Sequence, residues 1–94
     1  MYELDIKPEG DKIFRKLAIK NQKQLMIIHK KIQEICSNPL HTYKFLRKPL
    51  QTINRVHIDK HFVLIFKMNH EKKTVEIYYY DHHDNVYQWR AKEV

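Results

Sequence analysis

Ninety-four residues allow one hydrophobic core, since a chain of this size buries only about 60% of its unfolded surface, so a single domain over 1–94 is expected. The hydrophobic fraction of 43% is ordinary for a globular protein, and no apolar run approaches the roughly 20 residues needed to cross a bilayer. Lys and Arg number 18 against 11 Asp and Glu, giving +7 with His neutral. An isoelectric point near 9.5 directs attention to polyanions, nucleic acid first and an acidic protein second. MYELDIKPEG at the N-terminus lacks the apolar region of an export signal, so a cytoplasmic protein is expected. The single cysteine, Cys36, excludes an internal disulfide and, among Ile32 and Ile35, reads as a buried thiol.

Tyr2, Leu4 and Ile6 alternate with Glu3 and Asp5, the period of a half-buried strand, which Pro8 and Gly10 are expected to end. From about Asp11, Ile13, Phe14, Leu17 and Ala18 recur at helical spacing with Lys12, Arg15, Lys16 and Lys20 between them. A polar break at Asn21 and Gln22 precedes a second helix with Leu25, Ile28, Ile32 and Ile35 on one face, stopped by Ser37, Asn38 and Pro39. So short a break favours an antiparallel hairpin packed on a sheet. Residues 40–53 show no clear period and carry Lys44, Arg47 and Lys48 among apolar positions. They read as an ordered basic loop, either touching phosphates or merely solvated.

The period returns to two at Val56 and Ile58, with Arg55, His57 and Asp59 on the alternate positions. A turn over 59–61 leads into FVLIFKM, apolar enough for a central strand covered on both faces. After a polar turn over 69–73, residues 74–80 form the last strand; Val75, Ile77 and Tyr79 should face inward, Tyr78 and Tyr80 outward. Val86, Tyr87 and Trp89 suggest a closing helix or tail. The sum is an α+β fold: N-terminal strand, two-helix antiparallel hairpin, three-strand antiparallel meander and short C-terminal helix or tail.

With Gly10 its only glycine, the chain has no glycine-rich phosphate loop. D-H-H-D at 81–84 offers four potential metal ligands, but neighbours on a strand point to opposite faces, so His82 and His83 should not share an ion. Neither a cysteine pair nor an H-E-x-x-H helix supports zinc, and no metal or cofactor is expected. Imidazole, by contrast, moves protons near neutral pH unaided. RNA supplies its own nucleophile: a base takes the 2′-hydroxyl proton, cations hold the phosphate charge, and an acid protonates the departing 5′-oxygen. His57, His61 and His83, at the ends of expected strands, are candidates for those transfers, with Arg55 or Lys48 on the phosphate; His82 is only a neighbour. Their convergence on one open face is the structural condition. His29, His41 and His70 read as surface. Tyr87, Trp89 and the Tyr78, Tyr79, Tyr80 run either stack on splayed bases or pack in the core, Tyr87 being the best aromatic candidate.

The order strand, helix hairpin, basic loop and three-strand meander, closed by H-x-x-x-[YF] at His83 and Tyr87, resembles the RelE/ParE superfamily of type II toxin–antitoxin toxins over essentially the whole chain. V-H-I-D-K-H-F-V-L-I-F at 56–66 resembles the H-I-x-x-D-W-V-L-I-Y segment of the histidine-using YafQ-like branch, whose final His and Phe match His83 and Tyr87. The resemblance implies His57 and His83 as catalytic and Phe62 and Tyr87 as substrate supports. His61, in the place of a family acid, would be a helper. Where the RelE branch commonly carries an arginine in the middle strand this chain has Val63, and the late arginine is His83, which favours the histidine version. Lys48, before Pro49-Leu50, is taken only as a phosphate contact, beside Lys44, Arg47 and Arg55. The activity implied is metal-independent mRNA cleavage on the ribosome by an endoribonuclease. A cognate acidic antitoxin would restrain it and carry the complex to operator DNA. The alternatives are a ParE-like noncatalytic inhibitor of DNA gyrase and an inactive toxin-fold binding or repressor module.

Overall fold

The structure is a computed structural model that describes residues 1–46, 52–86, 88 and 89. In chain order the elements are β1 (Glu3–Ile6), α1 (Pro8–Lys20), α2 (Gln22–Ser37), β2 (Lys44–Phe45), β3 (Asn54–Ile58), β4 (Phe62–Asn69), β5 (Thr74–His82) and α3 (His83–Val86). All five strands join one sheet in the order β1-β5-β4-β3-β2, with β1 parallel to β5 and the other pairs antiparallel. The expected α+β architecture is present, with one strand more. β2 lies inside the segment read as a loop, pairing Lys44 with Arg55 and Phe45 with Asn54. Asn54 Nδ2 holds this short edge by donating to the Tyr43 and Lys44 carbonyls at 3.3 and 3.4 Å. No helix among the described residues is long and apolar enough to cross a membrane.

β1 stops at Ile6 as expected, but Pro8 and Gly10 are already helical, and α1 opens at Pro8 where a start near Asp11 was expected. Proline suits the first helical turn, where its missing N–H has no partner to lose. At Gly10 an added Cβ would lie 3.2 Å from the Ile77 carbonyl oxygen. That oxygen is itself fixed by the Lys7 N–H at 2.8 Å, so the bare backbone is what lets α1 approach β5. Asn21 serves both helices: its N–H closes α1 on Leu17 O, and its Oδ1 accepts the Gln24 N–H at 3.1 Å to start α2.

Both helices cover one face of the sheet, where Phe14, Ile28, Ile32 and Ile35 meet Ile58, Leu64, Phe66, Val75, Ile77 and Tyr80. Cys36 is buried in the same cluster, and burial raises the pKa of its thiol. The outer face carries a smaller cluster of Leu46, Ile53, Val63, Ile65, Tyr78, Val86 and Trp89. β4 therefore has apolar cover on both sides, as its continuous run predicts. β5 departs from simple alternation. Phe66 pairs with Ile77 but Ile65 with Tyr79, so Tyr78 is the extra residue of a bulge and the stripe changes phase. Tyr80 joins the helix-side core and Tyr78 the outer cluster, while Tyr79 is only half-buried. Tyr79 and Tyr80 thus exchange the faces expected of them, while Tyr78 keeps the outer face but is buried there.

Candidate functional site

Arg55 and His57 occupy alternate positions of β3 on the outer face, away from α1 and α2, because Val56 and Ile58 are committed to the helix side. Arg55 stands directly opposite Lys44 on β2, and His57 opposite Val63 on β4. Cross-strand partners project to the same face, and like charges set opposite one another destabilise a sheet. Lys44 and Arg55 thus form a corner that an anion would relieve, beside an exposed imidazole.

Val63 pairs in turn with Asp81 on β5, which places Asp81 two strands from His57, roughly 10 Å at the usual strand spacing. Asp81 accepts from the Tyr79 hydroxyl at 2.6 Å, the His82 N–H at 2.7 Å and Asn85 Nδ2 at 3.3 Å. Burial alone would raise its pKa, but these donors outweigh burial and hold the carboxyl below its ordinary 3.8. The Tyr79 hydroxyl is pushed up to about 12, first by burial and then by its bond to Asp81. Its ring stacks on Trp89 at 5.7 Å, and Trp89 Nε1 donates to Glu9 Oε1 at 2.9 Å. Trp89 is therefore a packed residue joining the chain's end to α1, not an open platform for a base. Sequence reading weighed Asp81 only as a potential metal ligand; the signal for its hydrogen-bonding role was the Tyr-x-Asp spacing, which places the two side chains on one strand face.

Beyond Asp81 the sheet ends and the histidines gather. β5 stops at His82 and α3 starts at His83, so strand alternation no longer separates the two rings. They lie face to face with centroids 4.5 Å apart. His61, from the turn whose Asp59 adopts a left-handed φ of 61°, sits 5.9 Å from the His82 ring and 6.3 Å from that of His83. The His83 N–H ties the turn down by donating to His61 O at 2.8 Å. One ring nitrogen from each of the three lies within 4.8 Å of the others. Asp84 flanks them, with carboxylate oxygens 3.4 Å from His82 Nδ1 and 3.1 Å from His83 Nδ1.

The convergence of His57, His61 and His83 set as the structural condition is met only in part: His61 and His83 come together, His82 joins them, and His57 stays outside that cluster on the outer face of β3. The argument that His82 and His83 must diverge is corrected by the strand-to-helix change between them. Phe62 is half-buried on the helix side, stacked on Tyr80 at 5.4 Å and edge-on to His82 at 5.6 Å. It forms the wall behind His82. Arg47, Lys48 and Tyr87 lie outside the described residues.

No family model matches the chain. It is 51% identical over 88 residues to a Methanocaldococcus jannaschii protein bearing the toxin name RelE4, covering 94% of this chain and 93% of that one. An uncharacterised protein of Methanosarcina mazei is 53% identical over 87 residues, 93% of this chain and 100% of the relative. Among solved structures, the toxin–antitoxin complex RelBE2 from Mycobacterium tuberculosis matches with a TM-score of 0.72 at 21% identity, covering 86% of this chain and 96% of that one. The YoeB/ParE toxin from Agrobacterium tumefaciens gives 0.75 at 10%, covering 86% and 98%. A metal-bound toxin from Helicobacter pylori gives 0.74 at 17%, covering 92% and 99%. These structures define the class of fold, a five-stranded sheet with a helix pair on one face, as that of small toxins from toxin–antitoxin systems. The curated relative carries the assignment further: the chain belongs to the RelE/ParE superfamily of type II toxins. None of these matches singles out the YafQ-like branch.

Proposed function

We propose that the chain is a ribosome-dependent mRNA endonuclease of the histidine-using, YafQ-like kind, working without a metal. The observation that carries this reading is the outer-face corner in which Lys44 and Arg55 oppose each other beside the exposed His57. A phosphodiester seated there offsets two positive charges at once, and an imidazole adjoins it. His57 takes the 2′-hydroxyl proton as that oxygen attacks the adjacent phosphorus. His83, assisted by His61, protonates the 5′-oxygen as its bond to phosphorus breaks, leaving a cyclic phosphate and a free 5′-hydroxyl. Attacking and leaving oxygens lie on opposite sides of the phosphorus, so base and acid belong at separate stations, as His57 and the end of β5 are. Asp81, held ionised, keeps the His82 backbone and Asn85 in place under α3.

The partners that follow are the ribosome with its mRNA, in the cytoplasm, and an acidic antitoxin that covers the cationic surface. Relatives of this fold have been solved as toxin–antitoxin complexes. Operator DNA would be reached through that antitoxin. Purified protein incubated with ribosomes and a defined mRNA, followed by mapping of the 5′ ends, is the test. Wild type should cut, and His57→Ala or His83→Ala should cut about 10²–10⁴-fold more slowly. Intact mRNA, together with equal toxicity of wild type and His83→Ala in cells, would reject the nuclease; gyrase inhibition by both proteins would then favour the ParE-like reading.

A further inference from the structure

We infer that His61, His82 and His83 bind one divalent transition-metal ion of the zinc or nickel kind, and that the bound ion silences the endonuclease. The second half rests on the proposed nuclease; the first rests on the three rings alone. Imidazole is a ligand that suits these ions, and three ring nitrogens already lie within 4.8 Å of one another. Metal–nitrogen bonds of about 2.0–2.1 Å in a tetrahedron set nitrogens roughly 3.4 Å apart. Closing that gap takes only small ring rotations, which are open to these side chains. His61 is exposed, and the side chains of His82 and His83 keep 36% and 43% of their surface.

The backbone that carries the rings is already set. Phe62 pairs with His82 across β4 and β5, and the His83 N–H holds His61 O at 2.8 Å, so the turn and the start of α3 cannot drift apart without breaking the ladder. Histidines that bind metal through one nitrogen generally give the other to a carboxylate, which fixes tautomer and ring orientation. Asp84 fills that role for His83, its Oδ1 lying 3.1 Å from Nδ1 and leaving Nε2 for the ion. His82 Nδ1 has the second Asp84 oxygen at 3.4 Å and the Asp84 amide at 3.2 Å. Ligation through His82 Nε2 exchanges the amide contact for the carboxylate one. Asp81 and Asp84 also supply negative charge locally in a chain of net +7. Three protein ligands leave the fourth position to water.

A ring nitrogen whose lone pair is on a metal can neither accept a proton nor carry one to donate, so occupancy removes His61 and His83 from acid–base work at that nitrogen. The rings serve one chemistry or the other.

The test titrates metal-free full-length chain with nickel, then with zinc, by calorimetry, and follows the histidine ring resonances by NMR. One ion per chain should bind, perturbing His61, His82 and His83 while His57, His29 and His41 stay unmoved. His82→Asn and His61→Asn should each weaken binding about tenfold or more, with circular dichroism and melting confirming that both variants fold. In the ribosome assay, zinc should stop wild type while His82→Asn, which keeps the acid and base, cuts equally with and without it. Stoichiometric binding that survives both substitutions, or no saturable binding by wild type, overturns the site. Binding at the three histidines with cleavage unaffected overturns the silencing. Absence of any cleavage by metal-free wild type rejects the nuclease and the silencing together, while calorimetry still decides the ion site.

Discussion

Leu64 and Ile65 are neighbours on β4, both fully buried, yet they belong to different cores. Leu64 faces α1 and α2, whose apolar stripes cover that side of the sheet. Ile65 faces a smaller cluster built from α3, Trp89 and the edge of the β2 region, and beside it the strands carry Arg55, His57 and Asp81. One face is closed by elements whose period specifies burial. Among the described residues the other is closed only in part, and its open part is where charge and imidazole collect. Incomplete cover leaves backbone and side chains facing solvent on a rigid strand, which is what a substrate-binding surface requires.

Paired truncations test that contrast most strongly. Phe66→Ala, on the helix side, should cost about 3–5 kcal/mol in urea unfolding, whereas Ile65→Ala should cost nearer 2 kcal/mol, because a thin cover collapses more readily around the vacated space. Equal or reversed losses would mean that the outer cluster is the true core. A smaller effect is expected at Asp81. Asp81→Asn removes a charged acceptor of three hydrogen bonds and should cost about 1–3 kcal/mol at neutral pH. Since the folded carboxyl is held below 3.8, this stability is present above that value and drains as pH falls through the folded pKa, so wild type and variant should converge in acid. Urea melts from pH 7 to pH 3 check this; a constant gap would show that Asp81 is not the ionised hub. Smallest is Lys44→Gln. Relieving the pair with Arg55 should gain a few tenths of a kcal/mol, while ribosome binding weakens and its salt slope falls by about one. Unchanged binding would move the phosphate contact elsewhere.

How much of this could be read beforehand follows the same division. Ile28, Ile32 and Ile35 at helical spacing announced the helix-side core because burial on that side is enforced by a period, and the unbroken FVLIFKM run announced apolar cover on both faces of β4. Tyr78, Tyr79 and Tyr80 misled because a single inserted residue inverts every face after it, and the bulge is set by pairing with Ile65 and Phe66. Pro8 and Gly10 read as a strand stop, yet both residue types also suit a helix start placed tightly against a neighbouring strand. Among the histidines, His61 and His83 were singled out by their positions at strand ends. His82 was set aside by an alternation rule that lapses where β5 becomes α3. His57 was expected to join them, but the register commits it to the outer face opposite Val63. Asp81 was weighed only as a metal ligand because its importance lies in three donors assembled by the fold.

The parallel pairing of β1 with β5 joins the chain's first strand to its last, Glu3 opposite Thr74 and Ile6 opposite Ile77. Such contacts between distant parts of a chain form slowly, because the loop they close must be ordered before they are made. On an elongating chain β1 has no strand partner among the described elements until β5 has left the exit tunnel, and β5 ends in the very residues that bring the histidines together. The sheet is thus completed only once β5 has been made. A newly made chain passes through an interval in which its helices exist but the cluster of His61, His82 and His83 does not.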